Sequence, residues 1–233
     1  MGKTSRLSDG NILHMNCVDV AAQLPNCVNL IYADILYGEW EDVPLQLFKD
    51  CLVPGGSLYL QTDYRSVANL KLELDKILDY RGWIIWSYDW GGRARDNWGK
   101  KHDDILYYVR SGAEPTFNVE SIAVPKVALI GSTKAWKIPT DVWPGNFYTT
   151  SAERIKDKRT GKGVLWQKPE WILDRVIKAS SNKGDLVFEP YLGSGTACAV
   201  AKKLGRRYIG CDIDPYLVDL SKKRLRLIDG KKR

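Results

Sequence analysis

The residues best suited to chemistry on a ligand lie in a glycine-rich segment, Gly184–Asp212. Gly193–Thr196 would form a tight turn, in which glycines let the backbone approach a bound ligand closely. Asp212 closes the segment, and an acidic residue in this position can bind the hydroxyls of a ribose. The pattern therefore indicates a site for an adenosine-containing ligand.

Three secondary-structure elements would position this turn. Leu186–Phe188 is a short apolar run that suits a buried strand, and Tyr208–Cys211 is a second strand. Between them, Ala197–Leu204 repeats apolar residues at the spacing of a helix face that packs on a core. Such a strand–turn–helix–strand unit holds its ligand at the carboxyl edge of a parallel sheet, so we predict an α/β fold.

A second strand end carries another group that could react. Val28–Tyr32 is an apolar strand that leads into the tetrapeptide Asp34-Ile35-Leu36-Tyr37. In an open α/β sheet, both strand ends would open onto the same crevice, which would bring Asp34 close to the glycine-rich turn. Taken alone, Asp34 would be better explained as a turn residue that caps a loop. The presence of both motifs favours a reactive role.

The remaining patterns complete one α/β domain. The further strands are predicted at Ile12–Met15, Ser57–Gln61, Trp83–Tyr88 and Ile105–Val109, and the further helices at Val18–Leu24, Pro44–Leu52, Ser66–Leu78, from Pro169 onward and at Asp214–Ile228. Pro54–Gly56 would be a turn. The strands Trp83–Tyr88 and Ile105–Val109 would pair as an antiparallel sheet edge. From about Gly112 to Lys168 the regular pattern breaks down.

Composition narrows the class of protein. The 35 Lys and Arg against 28 Asp and Glu give a net charge of +7, which is compatible with a polyanionic partner. The five cysteines form no CxxC pair, and with two histidines no zinc-site spacing exists, so we predict no metal site. No apolar run reaches membrane-spanning length, and the N-terminus lacks a signal sequence. We therefore expect a cytoplasmic protein without a membrane partner.

The sequence resembles the DNA amino-methyltransferases that use S-adenosylmethionine, in the group whose catalytic motif precedes the cofactor motif (the beta-group order). LIYADILYGEW is similar to the family's strand and its Asp-Pro-Pro-Tyr/Phe tetrapeptide. QKPEWILDRVIKASSNKGDLVFEPYLGSGT is similar to the cofactor-carboxylate helix joined to the glycine-rich motif. LVPGGSLYLQTDYRS and IIWSYDWGGRARDNWGKKHDDILYYVRS resemble the strand, turn and hairpin between them. This order accounts for the late position of the glycine-rich turn.

The resemblance implies a Rossmann-like fold: a mixed, mostly parallel sheet with helices on both faces and a short basic insertion. It implies one methyltransferase domain over residues 1–233, with a DNA-recognition insertion at 111–164. The cofactor would be S-adenosylmethionine and the partner DNA. The protein would be a prokaryotic or phage-encoded monomer or homodimer, of the kind found in restriction–modification systems.

Catalytic roles are implied for Asp34, Ile35 and Tyr37. The Asp34 carboxylate and the Ile35 carbonyl would accept hydrogen bonds from the target amine, and Tyr37 would stack on a base that has left the duplex. The family has two prolines where this chain has Ile35 and Leu36, a change that costs the loop rigidity. His102 matches a family position, but we interpret it as a structural histidine.

Two larger sets of residues are implied by the same resemblance. The cofactor-binding set is Asn16, Cys17, Asp34, Lys168, Glu189, Tyr191, Gly193, Ser194, Gly195, Thr196 and Asp212. The nucleic-acid-binding set is Arg93, Arg95, Lys100, Lys101, Arg154, Lys156, Lys158, Arg159 and Lys162. Within the first set, Glu189 stands where the family usually has Asp, and Asn16 stands where related chains often have an acid.

The predicted reaction is methylation of adenine N6 in DNA, because Asp34 opens the tetrapeptide where cytosine-N4 enzymes commonly have Ser. Methylation of cytosine N4 is one alternative. Another is a catalytically impaired partner protein that binds the cofactor and DNA, a hypothesis motivated by Ile35 and Leu36. A nicotinamide-dependent dehydrogenase would need a GxGxxG turn in its first strand–helix–strand unit, which this chain lacks.

Overall fold

Strands and helices alternate along most of the chain, in a computed structural model that describes residues 10–36, 38–89, 94–125, 136–146, 154–164 and 167–230. The strands are β1 (Asn11–His14), β2 (Val28–Asp34), β3 (Leu52–Thr62), β4 (Asp79–Ser87), β5 (His102–Val109), β6 (Val124–Pro125), β7 (Trp136–Lys137), β8 (Val142–Pro144), β9 (Leu186–Glu189) and β10 (Arg207–Asp212). The helices are α1 (Cys17–Ala21), α2 (Leu45–Cys51), α3 (Val67–Leu74), α4 (Val119–Ile122), α5 (Glu170–Ser180), α6 (Thr196–Lys203) and α7 (Pro215–Gly230).

Eight of these strands form one mixed sheet in the order β1-β10-β9-β2-β3-β5-β4-β8. The first five run parallel to one another, while β5 is antiparallel to both β3 and β4. Separately, β6 and β7 form a short antiparallel pair. The predicted α/β, Rossmann-like sheet is therefore confirmed.

Helices cover both faces of the sheet because its central strands are apolar on both sides. Leu30 and Tyr32 of β2 pack in one cluster with residues of α5, α6 and α7, whereas Ile31 and Ala33 pack in the other with residues of α1, α2 and α3. Alternate residues of a strand point to opposite faces, so burial of both sets gives the continuous apolar run seen in the sequence. Within the described residues, no helix combines the length and the apolar character needed to cross a bilayer.

Two sequence predictions differ from the structure around β3 and β4. Pro54–Gly56 was predicted as a turn but belongs to β3, where Gly55 donates to the Arg110 carbonyl at 2.8 Å and Arg110 donates to the Gly56 carbonyl at 2.9 Å. These bonds extend the sheet through residues that usually break it. The antiparallel pairing of β4 with β5 is confirmed, but β8 pairs in parallel with β4 and forms the outer edge.

The carboxyl edge of the sheet brings distant parts of the chain together. Asp34 ends β2, Glu189 ends β9 and Asp212 ends β10, and these three strands are neighbours in the sheet. Thr62 ends β3 at the same edge, paired with Asp104 of the antiparallel β5. Residues that follow these strands, or that precede β5, therefore surround one side of the molecule.

Candidate active site

A cavity of about 360 Å³ opens at this carboxyl edge, a size that suits a small-molecule ligand. Its walls include Met15, Leu36, Ile213 and Leu217, which are apolar. Most of the residues predicted to bind the cofactor also line it: Asn16, Cys17, Asp34, Lys168, Glu189, Tyr191, Gly193, Ser194, Thr196 and Asp212. The structure thus brings both sequence motifs to one cavity.

The turn after β9 needs glycine for two different reasons. Gly193 has φ +49°, and a side chain there would meet no protein atom within 4 Å, so the space beside it is open. Gly195 has φ +68°, and a Cβ atom would lie 2.8 Å from Oγ of Ser221. Both backbone conformations are left-handed and favour glycine. Gly195 does not line the cavity; it allows α7 to pack closely against the turn.

Glu189 fixes the start of α6. Its Oε1 accepts a hydrogen bond from the Ala197 amide at 3.0 Å, and its Oε2 accepts one from the Cys198 amide at 2.8 Å. Amides in the first turn of a helix have no partner within the helix, so a carboxylate there is stabilising. Burial nevertheless raises the pKa of Glu189 to about 7, against the opposing effect of these two bonds. Its predicted contact with the cofactor stays a prediction.

Asp212 connects the glycine-rich turn to the loop after β10. Its Oδ2 accepts a hydrogen bond from the Gly193 amide at 2.8 Å, and its Oδ1 accepts one from the Asp214 amide at 2.9 Å. Each carboxylate oxygen can accept a further bond. Asp212 is therefore held in a fixed position beside the cavity and keeps acceptor capacity toward it.

Arg224 on α7 supports the turn from behind, a role that sequence reasoning missed. Its guanidinium donates to the Ser194 carbonyl and to Oγ1 of Thr196, both at 3.0 Å, and to Oε1 of Glu170, also at 3.0 Å. Glu170 in turn pairs with Lys203 of α6. No local spacing could have revealed this group, because its members come from α5, the turn, α6 and α7.

Asp34 at the end of β2 forms an ion pair with Lys168, with 2.7 Å between Oδ2 and Nζ. The Lys168 side chain is 6% exposed and that of Asp34 is 23% exposed. Burial raises the pKa of Asp34; the Lys168 ammonium opposes this and the charge of Asp103 adds to it. Among the described residues, Lys168 is therefore the partner that stabilises the charged form of Asp34.

Ile35 stands where the family has proline, and a backbone hydrogen bond anchors it. Its amide donates to the Gln61 carbonyl at 2.9 Å, a hydrogen bond that proline cannot make. Its side chain is 3% exposed and packs in the core, whereas Leu36 is 58% exposed beside the cavity. The expected loss of rigidity is thus offset at position 35. Tyr37 lies outside the described residues.

A buried chain of hydrogen bonds runs beside Asp34 and was also missed. Tyr32 donates to Oε1 of Gln61, whose amide donates to Oδ2 of Asp103 at 2.8 Å. Tyr88 donates to the other oxygen, Oδ1 of Asp103, at 3.1 Å. Burial and then the charges of Asp34 and Asp103 raise the pKa of Tyr32, so its hydroxyl stays protonated and donates. Alternation along β2 puts Tyr32 and Asp34 on the same face.

The start of α1 forms another wall of the cavity. Asn16 caps this helix, with its Oδ1 accepting from the Val18 amide at 2.8 Å. Burial raises the pKa of Cys17, opposed by a hydrogen bond with the Tyr191 hydroxyl. The Tyr191 ring packs edge-on against Phe48, 6.3 Å between centroids. These contacts place all three predicted residues at the cavity, while their roles toward a ligand stay predictions.

The predicted basic loop is a hairpin that packs against the start of α7. Lys156 and Gly163 form an antiparallel bridge. Arg159 pairs with Asp157 at 3.2 Å and with Asp214 at 3.0 Å, and its guanidinium lies 3.8 Å from the centre of the Tyr216 ring. Arg159 therefore anchors the hairpin, and its predicted contact with nucleic acid stays a prediction.

The other predicted basic residues are mostly exposed. In the hairpin these are Arg154, Lys156, Lys158 and Lys162; before β5 they are Arg95 and Lys100. Lys101 is half-buried and donates to the Asp89 carbonyl at 2.8 Å. His102 lies 3.9 Å from Asp104, and its interpretation as a structural histidine stays a prediction. Arg93 lies outside the described residues, and the described residues contain no cluster of three or more potential metal ligands.

Comparison with known proteins gives a consistent match. The DNA methylase family with N6 and N4 members matches residues 32–223. The type II methyltransferase M.HpaI of Haemophilus parainfluenzae is 33% identical over 177 residues, which cover 75% of this chain and 54% of that protein. The DNA adenine methyltransferase YhdJ of Escherichia coli (strain K12) is 29% identical over an alignment of 248 positions, which covers 92% of this chain and 82% of that protein.

Two solved structures share the fold. The M1.HpyAVI–SAM complex superposes with a TM-score of 0.67 at 20% identity, covering 92% of this chain and 99% of that one. The PvuII DNA methyltransferase (cytosine-N4-specific) superposes with a TM-score of 0.73 at 13% identity, covering 93% and 86%. The family match spans both the Asp34 strand end and the glycine-rich turn. This chain belongs to the N6/N4 DNA methylase family, the S-adenosylmethionine-dependent DNA amino-methyltransferases.

Proposed function

We propose that this protein transfers a methyl group from S-adenosylmethionine to the exocyclic N6 of adenine in DNA. The observation that carries the proposal is the shared cavity of Asp34 and the glycine-rich turn. An acid that could hold an amine and a turn that could hold a methyl donor line the same space. Such positioning supplies much of the acceleration in group transfer.

The cavity fits the proposed cofactor in size and in the chemistry of its walls. Ile213 and Leu217 offer apolar surface to an adenine ring, and Asp212 offers acceptors to ribose hydroxyls. Lys168 would bind the carboxylate of the methionine part, and the open space beside Gly193 lets the ligand approach the backbone. The M1.HpyAVI complex, which contains SAM, has the same fold and supports this assignment.

The proposed chemistry needs an amine that is held and reshaped. The lone pair of adenine N6 is delocalised into the ring, so the amine is a poor nucleophile. The Asp34 carboxylate and the Ile35 carbonyl would each accept a hydrogen bond from one N–H group of the amine. These bonds would draw the nitrogen toward tetrahedral geometry. When bound, the cofactor supplies the methyl group: a carbon–nitrogen bond forms while the carbon–sulfur bond breaks and leaves its electron pair on sulfur. The amine then sheds one proton toward Asp34, so no base is needed earlier.

Lys168 would couple cofactor binding to base binding. In the free protein its ammonium occupies Oδ2 of Asp34. A cofactor carboxylate would compete for the same ammonium and release this oxygen for the target amine. We therefore propose that the cofactor binds before the base enters the site.

The choice of adenine rests on Asp34 and on one relative. An acid opens the tetrapeptide here, and the similar E. coli protein is named a DNA adenine methyltransferase. Incubation of duplex DNA with this protein and methyl-labelled S-adenosylmethionine, followed by nucleoside analysis, should give N6-methyladenine. Label in N4-methylcytosine would replace this proposal with the cytosine alternative.

A catalytically impaired partner protein is the second candidate, because Ile35 and Leu36 depart from the family pattern. The hydrogen bond from the Ile35 amide to the Gln61 carbonyl supports activity, since it anchors the loop without proline. Binding of S-adenosylmethionine and DNA, with no label in any nucleoside of duplex or single-stranded DNA, would favour the impaired protein.

DNA would reach the site past the basic hairpin of residues 154–164. Arg154, Lys156, Lys158 and Lys162 are exposed there and would contact phosphates, as part of the recognition insertion 111–164. Affinity for DNA should then fall steeply with salt, since phosphate contacts release counterions.

A further inference from the structure

A second exposed surface, which lies next to the site on the side of β3 and β5, combines aromatic rings with cations. We call Tyr64, Arg95, Trp98 and Lys100 the aromatic surface. The Lys100 ammonium lies 4.4 Å from the centre of the Tyr64 ring, and Tyr64 is 49% exposed. Trp98 is 88% exposed, and no ring or cation among the described residues contacts its indole.

The topology puts this surface beside Asp34. Gln61 of β3 is in register with Asp34 of β2, and Tyr64 lies two residues beyond the end of β3. The segment with Trp98 and Lys100 leads into β5, whose first residues pair with the end of β3. The aromatic surface therefore continues the carboxyl edge beyond the cavity, on the side opposite to β9 and β10.

The backbone beneath the surface is anchored, although its side chains project outward. The Tyr88 amide donates to the Lys101 carbonyl at 2.9 Å, and the Lys101 ammonium donates to the Asp89 carbonyl at 2.8 Å. The Trp98 amide donates a hydrogen bond to Oδ1 of Asn97 at 2.7 Å. The bonds of Lys101 hold the end of this segment against the end of β4, which lowers the cost of ordering it when a ligand binds.

We propose that the aromatic surface binds the DNA bases next to the extruded target base. Tyr64 and Trp98 would stack on these bases, and Lys100 and Arg95 would hold their phosphates. Extrusion of a base leaves its neighbours partly unstacked, and base stacking on aromatic rings tolerates any sequence. This inference rests on the proposed function, because it assumes that DNA is the substrate.

The chain contains a matched control, Tyr80, at the opposite edge of the sheet, where β4 begins. Tyr80 is 46% exposed, and the Lys71 ammonium lies 4.3 Å from the centre of its ring, nearly the arrangement of Tyr64 and Lys100. Tyr80 lies near the start of β4, opposite Tyr108 near the end of β5, so it is far from the carboxyl edge. Exposure and the distance to a lysine ammonium are therefore similar at the two rings. Tyr64 also has the Arg65 guanidinium 5.7 Å from its ring centre, and Tyr80 also packs edge-on against Tyr108.

The test measures binding of a fluorescent duplex whose target adenine faces an abasic site, by anisotropy, in saturating S-adenosylhomocysteine. Tyr64→Ala and Trp98→Ala should each weaken binding about tenfold and raise KM for DNA in the transfer assay, since a stacked base contributes on that scale. Tyr64→Phe and Trp98→Phe should restore binding, because the ring is kept. Tyr80→Ala should match the parent protein, and thermal unfolding checks that every variant folds.

Each outcome decides between the two proposals. If Tyr64→Ala and Trp98→Ala bind DNA as tightly as Tyr80→Ala, the aromatic surface is not a base-binding surface, while the methyltransferase assignment stands. If the parent protein methylates no DNA and binds none, the proposed function fails and this inference fails with it. Equal losses in the alanine and phenylalanine variants would also overturn stacking.

Discussion

The ends of β9 and β2 face the same cavity, but they are stabilised in different ways. At β9 and its neighbour β10, the carboxylates of Glu189 and Asp212 accept hydrogen bonds from four backbone amides. At β2, the Asp34 carboxylate forms one ion pair among the described residues, with Lys168. The first end is therefore preorganised without a ligand, whereas the second holds a group whose partner can be exchanged. Changes at β9 should affect folding and cofactor binding, and changes at β2 should affect transfer.

Glu189→Gln should give the largest change at the β9 end, visible as a change in how stability depends on pH. Because burial raises the pKa of Glu189 from 4.5 to about 7, the folded state binds more protons than the unfolded state between these pH values. The free energy of unfolding of the parent protein should thus fall as pH rises through this window, by on the order of 3 kcal/mol from this group. The variant lacks this contribution.

Urea unfolding of both proteins at pH 5 and pH 7.5 measures the effect. The stability of the parent relative to Glu189→Gln should be lower at pH 7.5 than at pH 5. An equal difference at the two values would mean that the Glu189 carboxyl titrates normally.

Gly195→Ala tests the same end through its backbone. The left-handed φ and the close approach of Ser221 should both oppose a Cβ atom, so affinity for S-adenosylmethionine should fall about thirtyfold. Gly184→Ala is the matched control: φ is +85° there, but no atom lies within 4 Å of the added carbon. Calorimetric titration should find the affinity of this control within about threefold of the parent, because the space beside Gly184 is open and Gly184 precedes β9, at the opposite end of the strand from the turn. Equal affinities in the two variants would contradict the close packing of α7 on the turn.

Lys168→Met tests the β2 end. Because the Lys168 ammonium lowers the pKa of Asp34 in the protein without cofactor, its loss should raise that pKa. The acid limb of kcat/KM for S-adenosylmethionine, which reports groups of the free protein, should then shift to higher pH. The rate should also fall about tenfold, since a buried carboxylate without its partner is disfavoured. Lys178→Met removes a 2.7 Å ion pair with Asp174 on the same helix, away from the cavity, and should leave the profile unchanged. An unshifted acid limb in Lys168→Met would remove Asp34 as the titrating group.

Tyr88→Phe should give the smallest effect. It removes the hydrogen bond from Tyr88 to Oδ1 of the Asp103 carboxylate, at a distance from the reacting atoms. We expect kcat to fall about threefold, on the scale of one hydrogen bond, with KM for S-adenosylmethionine unchanged. A raised KM with unchanged kcat would assign this chain of bonds to the cofactor end instead.

Much of the frame could be predicted from the sequence, because it depends on local patterns. The apolar runs of β2, β9 and β10 and the glycine-rich turn identified the two strand ends, within two residues of their observed bounds. The prediction of a turn at Pro54–Gly56 was wrong, because a tertiary pairing with Arg110 overrides the turn preference of these residues.

The supports behind the site could not be predicted, for a different reason. Gln61 meets Asp103, and Arg224 meets Glu170, across long separations in sequence that leave no periodic signal. The ion pair of Asp34 with Lys168 likewise joins residues far apart in sequence, although each residue was predicted separately from its own motif. Chemistry-bearing residues were thus visible in the sequence, while their partners became visible only with the fold.

Transfer of labelled methyl to DNA by Asp34→Asn, at saturating S-adenosylmethionine, tests the account most directly. The amide keeps the size of the side chain and removes its charge, so the transfer rate should fall at least a hundredfold. Affinity for S-adenosylmethionine, measured in the same preparation, should stay within a fewfold of the parent. A rate close to that of the parent protein would contradict the central claim that Asp34 holds the reacting amine.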